Sequence, residues 1–478
     1  MGQEINRVHF SQADFDTFYD HLETETSILN QLISQGKCSQ KSPVAGFEIE
    51  AWLVDADMNP VALNQDFLKA FNNPLATTEL AQFNIELNNQ PVSLQNNALS
   101  CLHRRLEQTW SLACLTANAL NARLLMIGIL PTLRQSDLTL TNMSPLKRYR
   151  ALNEQILHLR GERPLNLTIT GKESLSIEHD DVMLEAAATS FQIHLQCPVA
   201  VAHHYYNAVV IASAPMVGIS ANAPYLFGKD LWCETRIPLF EQAIEVGGYD
   251  GAAYGPMRRV SFGTQYARNS IMEFFQINLD HFPILLPMHF DQQTTHLEHL
   301  RLHNGTIWRW NRPLVGFDDD GTPHIRIEHR VMPAGPSIID SIANAAFFYG
   351  LAKQLCDTVV QPQPEITFSQ AKDNFYQTAR HGLEAQITWL DGSKHRLQQL
   401  IDSELIAMAL QGLEKLEIDQ DDAANYLEII RQRNVTGQTG SQWQRSYLAK
   451  AGSDFSAMTR AYLEHQQTGQ PVHTWEFD

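Results

Sequence analysis

Four short stretches place chemically demanding side chains at every second position. In "GFEIEAWLV" (46–54), Glu48 and Glu50 alternate with Phe47, Ile49, Ala51 and Leu53. In "QFNIELNN" (82–89), Asn84, Glu86 and Asn88 alternate with Ile85 and Leu87, and in "SFQIHLQC" (190–197) Gln192, His194 and Gln196 alternate with Phe191, Ile193 and Leu195. In "HIRIEHRVMP" (324–333), Arg326, Glu328 and Arg330 oppose Ile325, Ile327 and Val331. Residues two apart on a strand share a face, so each stretch predicts a strand with one apolar and one polar side. Any one of them alone reads as a solvated sheet face. Such a face usually carries Thr, Lys or Ser, as Thr168 and Thr170 do in "LNLTITG" (165–171), whereas these four carry Glu, His, Gln, Asn and Arg. Those are ligands for hard cations and clamps for phosphate. Mg2+ joins a few carboxylates to substrate phosphates, and a shared cation removes the repulsion among Glu48, Glu50, Glu86 and Glu328. Arg326 and Arg330 would neutralise charge on a transferred phosphoryl group. No GxxxxGK[ST] occurs, which excludes a Walker-type NTPase and leaves a nucleotide-using site without a phosphate loop.

The elements that must position these residues follow from hydrophobic periodicity. Helical spacing predicts helices over 11–35, 98–122, 200–220 (broken near Pro215) and 337–356 with Ser337 as N-cap. "RLLMIGILP" (123–131) reads as a buried strand ended by Pro131, and from about residue 366 the pattern is mostly helical and more charged. Strands with long helices give an α+β class. The chain of 478 residues, 44% hydrophobic, has ample material for a core. A net charge of −18 argues against a nucleic-acid surface and an anionic membrane as partners. The six cysteines form no CxxC pair, "MGQEINRVHF" lacks a signal-peptide core, and no apolar run is long enough to span a bilayer. A cytoplasmic protein is the expectation.

Carboxylates paired on one strand, then a His strand, then "RIEHR" before a Pro-ended strand and an Ala-rich helix, resemble the glutamine synthetase superfamily. The glutamate–cysteine ligase family of plant and bacterial type, with its carboxylate–amine ligases, is the closer match. "GFEIEAWLVD" and "QFNIELNNQPV" look like its glutamate strands. "SPLKRYRALN" supplies Arg148 and Tyr149, "DVMLEAAATSFQIHLQC" supplies Gln192 and His194, and "GISANAPYLFGKDLWCETRIPLF" supplies Asn222 and Arg236. "LHNGTIWRWNRP" offers His303 and Arg312, and the resemblance runs from about 46 to 350. It implies a curved, mainly antiparallel sheet forming a funnel-like site, flanked by helices. Residues 1–365 would form the catalytic domain, with a helical region over 366–478 packed on it.

The resemblance further implies ATP and Mg2+ (Mn2+ substituting) as cofactors and small-molecule amino acids as partners. Glutamate's γ-carboxylate would be activated as an acyl phosphate and attacked by an amine, cysteine the leading candidate, as in glutathione biosynthesis. Glu48, Glu50, Glu86, Glu328 and His194 would be the metal set. Arg330, Arg312 and Glu328 would be catalytic. Arg326, Gln192, Asn222, Arg236, Tyr149, Arg148 and His303 would bind substrate or nucleotide. The alternatives are a catalytically inactive binding protein of the same fold, or a ligase for a different acid–amine pair.

Other features read as structural. His296, His299 and His303 share helical spacing without a zinc signature, "GGYDGAAYG" (247–255) reads as a connection, and Phe347, Phe348 and Tyr349 as core. Arg431 and Arg433 read either as ligands for an acid or as a solvated helix end.

Overall fold

The computed structural model describes residues 4–5, 7–41, 43–246, 257–290, 296–358 and 365–477. The Gly-rich stretch 247–255 lies outside them. In chain order, α1 (Gln12–Ser34) precedes β1 (Val44–Val54), α2 (Asn64–Phe71), β2 (Ala76–Thr78), β3 (Asn84–Asn88), β4 (Val92–Ser93), α3 (Ala98–Ala119) and β5 (Arg123–Leu125). Next come α4 (Lys147–Leu159), β6 (Leu165–Thr170), β7 (Ser174–His179), β8 (Ser190–Cys197), α5 (Ala202–Ser220), β9 (Tyr225–Leu226) and β10 (Lys229–Asp230). They are followed by α6 (Arg236–Ala243), α7 (Met272–His281), α8 (Glu298–Gly305), β11 (Asn311–Phe317), β12 (Pro323–Pro333) and α9 (Ile338–Thr358). The rest comprises α10 (Phe368–His381), β13 (Gln386–Thr388), β14 (Lys394–Arg396), α11 (Leu397–Leu400), α12 (Ile406–Lys415), α13 (Gln420–Thr436), α14 (Gly440–Ala451) and α15 (Phe455–Gln467).

One sheet positions the site. Its strands run in the order β11-β12-β8-β1-β3-β2, all antiparallel, with β4 and β5 also paired to β1. The register sets Glu50 opposite Glu86, Glu48 opposite Gln192, His194 opposite Glu328, and Arg312 opposite Glu328. Phe47, Ile49, Ile193, Leu195, Ile325 and Ile327 are buried on the apolar side, where α5 and α9 pack. The polar side is buried too: Glu86 and Glu328 are 0% exposed, Glu48 7% and Glu50 8%. A solvated face is therefore excluded for these strands.

Some predicted elements differ. α5 continues through Pro215, because the residues around that missing donor are packed on all sides (Ala202 and Tyr205–Ser220 are all buried). Only Arg123–Leu125 of the 123–131 stretch joins the sheet. Beyond it, side chains replace the ladder. The Met126 carbonyl accepts from Tyr462 Oη (3.1 Å) and Gln466 Nε2 (2.8 Å), and the Ile127 carbonyl from Trp52 Nε1 (3.0 Å) and Thr189 Oγ1 (2.6 Å). Gly128 is needed here by close approach, since a Cβ would lie 2.8 Å from Pro333 and 2.9 Å from Arg236 Cδ.

Ser337 caps α9 as expected, its hydroxyl accepting from Asp340 N at 3.3 Å. The same Asp340 anchors the C-terminal helices: Arg433, only 1% exposed, donates to it at 2.7 Å and to Asn344 Oδ1 at 2.6 Å. Arg433 is thus a buried strut and no solvated helix end, whereas Arg431 is an exposed partner of Glu428. α10, α12 and α13 pack against α5 and α9, and the core runs continuously into them. Phe347, Phe348 and Tyr349 are completely buried in it. No described helix is long and apolar enough to cross a membrane.

Candidate active site

The polar face of the sheet opens on a cavity of about 440 Å3 whose lining includes Glu48, Glu50, Gln192, Arg312, Arg326 and Arg330. Two groups of ligand atoms converge there. Glu48, His194 and Glu328 bring one atom each within 4.8 Å of one another, and Glu50, Glu79 and Glu86 do the same. Alternation explains how Glu48 and Glu50 share a face, but register brings the first triad together from β1, β8 and β12, and Glu50 to Glu86 from β1 and β3. Glu79 was not legible as a ligand. It follows β2, outside any strand, although it stands two residues after Thr77, which faces Glu86 across the ladder. That continued alternation is the signal that marks it.

The first triad is stitched to cations. Arg312 grips Glu328 with both arms, Nε to Oε2 at 2.8 Å and Nη2 to Oε1 at 3.0 Å, and sends Nη1 to the Gly305 carbonyl at 3.1 Å. Arg330 Nη1 adds a contact to Glu328 Oε2 at 3.2 Å and bonds Gln192 Oε1, while its Nε is buried without a hydrogen-bond partner among the described residues. Burial opposes ionisation of Glu328, but Arg312, Arg330 and His194 hold its carboxyl well below the usual range. Burial likewise opposes ionisation of Glu48, and facing His194 brings it down to about 2. Glu48 Oε2 is buried with no hydrogen-bond partner among the described residues. His194 Nε2 stands 3.3 Å from Glu48 Oε1 and 3.8 Å from Glu328 Oε1, and Arg326 Nε donates to Nδ1 at 3.0 Å. With Nδ1 accepting, a neutral ring carries its proton on Nε2. A cation bound by Nε2 requires that proton on Nδ1, so Arg326 must release it.

The second triad carries carboxylates alone. Burial and Glu48 raise Glu86 to about 7, and burial with Glu86 and Glu50 raises Glu79 well above its ordinary value. Glu50 is also raised by burial, although Ser190 N and Oγ donate to it at 2.7 Å each and Gln192 Nε2 at 2.8 Å. Thr77 Oγ1 (3.0 Å) and Asn88 Nδ2 (2.8 Å) fix Glu86 Oε1. Glu50 and Glu86, buried and oriented by neutral donors, with the half-buried Glu79 facing them, suit a hard divalent cation with oxygen ligands. The residues of both triads fit such ions.

The other expected residues fall into two groups. Arg148 and Tyr149 line the cavity, with Arg148 Nη2 donating to Tyr149 Oη at 2.8 Å. Asn222, Arg236 and His303 do not line it. Asn222 is completely buried, its Nδ2 donating to the Ala334 carbonyl and Tyr462 Oη at 2.8 Å each. Arg236 is buried against Glu234 Oε1 (3.2 Å) and the Val331 carbonyl (3.3 Å), so both brace the end of β12. His303 Nε2 meets the Asn278 carbonyl at 2.9 Å, and burial lowers its imidazole to about 4. His299 pairs with Glu25 at 2.7 Å, so the helical histidines do not converge on a metal. Glu185, which the sequence did not flag, lines the cavity and is raised to about 8 by burial and Glu50. A larger hollow of about 560 Å3, bordered by Asp57, Thr132, Arg134 and Phe455, carries none of these groups.

A family model described as glutamate-cysteine ligase family 2 matches residues 44–470, and the chain belongs to that family. It is therefore a carboxylate–amine ligase by class. The match takes in α10–α15 entirely, where the sequence motifs alone had ended near residue 350. A glutamate–cysteine ligase from Francisella tularensis, solved in complex with AMP, is similar at a TM-score of 0.57 and 12% identity, over 92% of this chain and 91% of that one. A bifunctional glutathione synthetase from Pasteurella multocida aligns at a TM-score of 0.47 and 12% identity, over 92% of this chain and 55% of the other. At such identities the first likeness shows the fold: a curled antiparallel sheet with flanking helices. No curated protein matches the chain.

Proposed function

We propose that this member of the family joins the γ-carboxylate of glutamate to an amine, with cysteine the leading candidate, using ATP and Mg2+. The observation that carries this is the pair of ligand triads built around one sheet face, bordered by arginines in a single cavity. Glu48, His194 and Glu328 would hold one cation, and Glu50, Glu79 and Glu86 another. Bound Mg2+ would draw phosphate oxygens and the acid's carboxylate together and neutralise their charge.

The chain's own residues do the rest. The acid's carboxylate oxygen attacks the γ-phosphorus and ADP leaves, giving an acyl phosphate. The amine nitrogen then attacks the acyl carbon, and phosphate departs with the broken C–O bond. Arg330, aimed into the cavity, stabilises charge on the transferring phosphoryl group. Arg312, committed to Glu328, fixes that carboxylate's orientation and so acts as a positioning residue. The buried surroundings exclude water from the acyl phosphate. The test is to supply purified protein with ATP, Mg2+ and a panel of acid–amine pairs, following ADP and phosphate and identifying the product by mass spectrometry. Stimulated release with glutamate and one amine is expected. Tight nucleotide binding with no product from any pair would overturn the reaction and leave a binding protein.

A further inference from the structure

The turn Val182–Ala187, "VMLEAA", presents a single carboxylate. Val182, Met183, Leu184, Ala186 and Ala187 are buried, and Glu185 lines the cavity beside Val182 as the turn's one charged side chain. The turn is rigidly held. Asp181 Oδ1 accepts from Met183 N at 2.9 Å and contacts His179 Nε2 at 2.9 Å, and Asn153 Oδ1 accepts from Val182 N at 3.1 Å. Glu185 belongs to neither triad, and among the described residues its carboxylate has no hydrogen-bond or ion-pair partner. A carboxylate fixed in a largely desolvated cavity without a partner is costly unless a ligand brings a donor.

Its neighbours say which donor. Glu185 lies close enough to Glu50 and Arg330 for their charges to act on it, and it acts in turn on Tyr149. Tyr149 also carries Arg148, with the guanidinium 4.6 Å above the ring and Nη2 on the phenol oxygen. The same cavity thus offers a negative and a positive group that both act on one phenol, and Glu50 and Glu79 line it as well. An α-amino acid head group has the matching charges.

We infer that Glu185 binds the α-ammonium group of the acid substrate, with Arg148 facing its α-carboxylate, and so restricts the acid to α-amino acids. The triad-side position leaves the substrate's side-chain carboxylate directed at Glu50, Glu79 and Glu86. This rests on the ligase reaction proposed above for the identity of the acid. The contact is separable from that reaction, because head-group binding is measurable without turnover.

Calorimetry with L-glutamate and with glutarate, which lacks only the ammonium group, tests it on the wild type, Glu185→Gln and Glu185→Asp. Wild type should bind L-glutamate at least ~10-fold more tightly than glutarate, a charge-assisted contact being worth about 1.5–3 kcal/mol. Glu185→Gln should abolish that preference while leaving glutarate binding unchanged, and Glu185→Asp should keep part of it. Absence of the preference in the wild type, or its survival in Glu185→Gln, would overturn the inference. Weakening of both ligands alike would also overturn it, since Glu185 would then serve the cavity in general. A preference that behaves as expected in a protein that forms no product would sink the ligase reaction and leave the head-group contact standing.

Discussion

Glu48 and Glu50 stand two residues apart on one face of β1, yet they feed triads of opposite electrostatic character. The Glu48 triad comes with its own counter-charge, Arg312 and Arg330 on Glu328, and His194 stands between the two acids. Its carboxyls are held below their ordinary range. The donors named above to Glu50 and Glu86 are neutral, and the carboxyls of this triad are all raised. The contrast teaches that the two sites are prepared for ions differently. The carboxylates of the first are ionised before any cation arrives, although Arg326 must still release His194. The second is frustrated until one does.

Four experiments probe that contrast. Glu328→Gln has the largest expected effect. It should cut turnover on the order of 10³-fold or more, because Arg312 and Arg330 lose the charge they orient, and it should lower stability by about 3 kcal/mol by leaving Arg312 buried without its partner. ADP release and chemical denaturation measure the two. Unchanged stability would show that the arginines are not held by that carboxylate.

pH comes next. The Glu86 carboxyl sits at about 7 against an ordinary 4.5. Its stabilising contribution is complete below about pH 4.5 and is lost as pH rises through 7, a change of about 3 kcal/mol by linkage. Glu48, lowered to about 2, has the opposite sign: its contribution is present above 4.5 and lost as pH falls through 2. Denaturation with a chelator should therefore show stability declining from pH 4.5 to above 7, and added Mg2+ should abolish the decline. A flat chelator profile would remove the frustration assigned to the second triad.

Glu86→Gln should have the reverse effect of Glu328→Gln on the cation-free protein. Removing one of two acids directly opposed across the β1–β3 ladder should raise stability by ~1 kcal/mol, while the stabilisation by Mg2+ shrinks. Thermal melts with and without Mg2+ report both. The smallest change is Thr77→Val, which deletes one neutral donor to Glu86. Calorimetric Mg2+ affinity should fall only a few-fold, as expected for a hydrogen bond worth about 1 kcal/mol. A loss as large as that of Glu86→Gln would mean Thr77 does more than orient.

Much of the sheet was legible because strand periodicity is local. Phe47, Ile49, Ala51 and Leu53 had to oppose Glu48 and Glu50, and Ile325 and Ile327 had to oppose Arg326 and Glu328, whatever else the chain did. Glu79 was harder to see because it lies past the end of its strand, marked only by alternation continued from Thr77, and Glu185 because it sits in a short turn where no repeat marks a face. Asn222 and His303 matched motifs, but a motif does not reveal that the first is committed to Ala334 and Tyr462 and the second to Asn278. Arg433 looked like a solvated helix end for the same reason, its partner Asp340 lying 93 residues away.

The sequence by itself determined which residues face the same way: its alternation put carboxylates, a histidine and arginines on one side of four strands. Only the tertiary structure decided which of them share an ion. The pairing of β1 with β3 and β8, and of β12 with β8 and β11, sends Glu48 to His194 and Glu328, and Glu50 to Glu79 and Glu86. The physical reason is that facing is set by neighbours along the chain, whereas convergence is set by register between strands whose partners lie tens to hundreds of residues away.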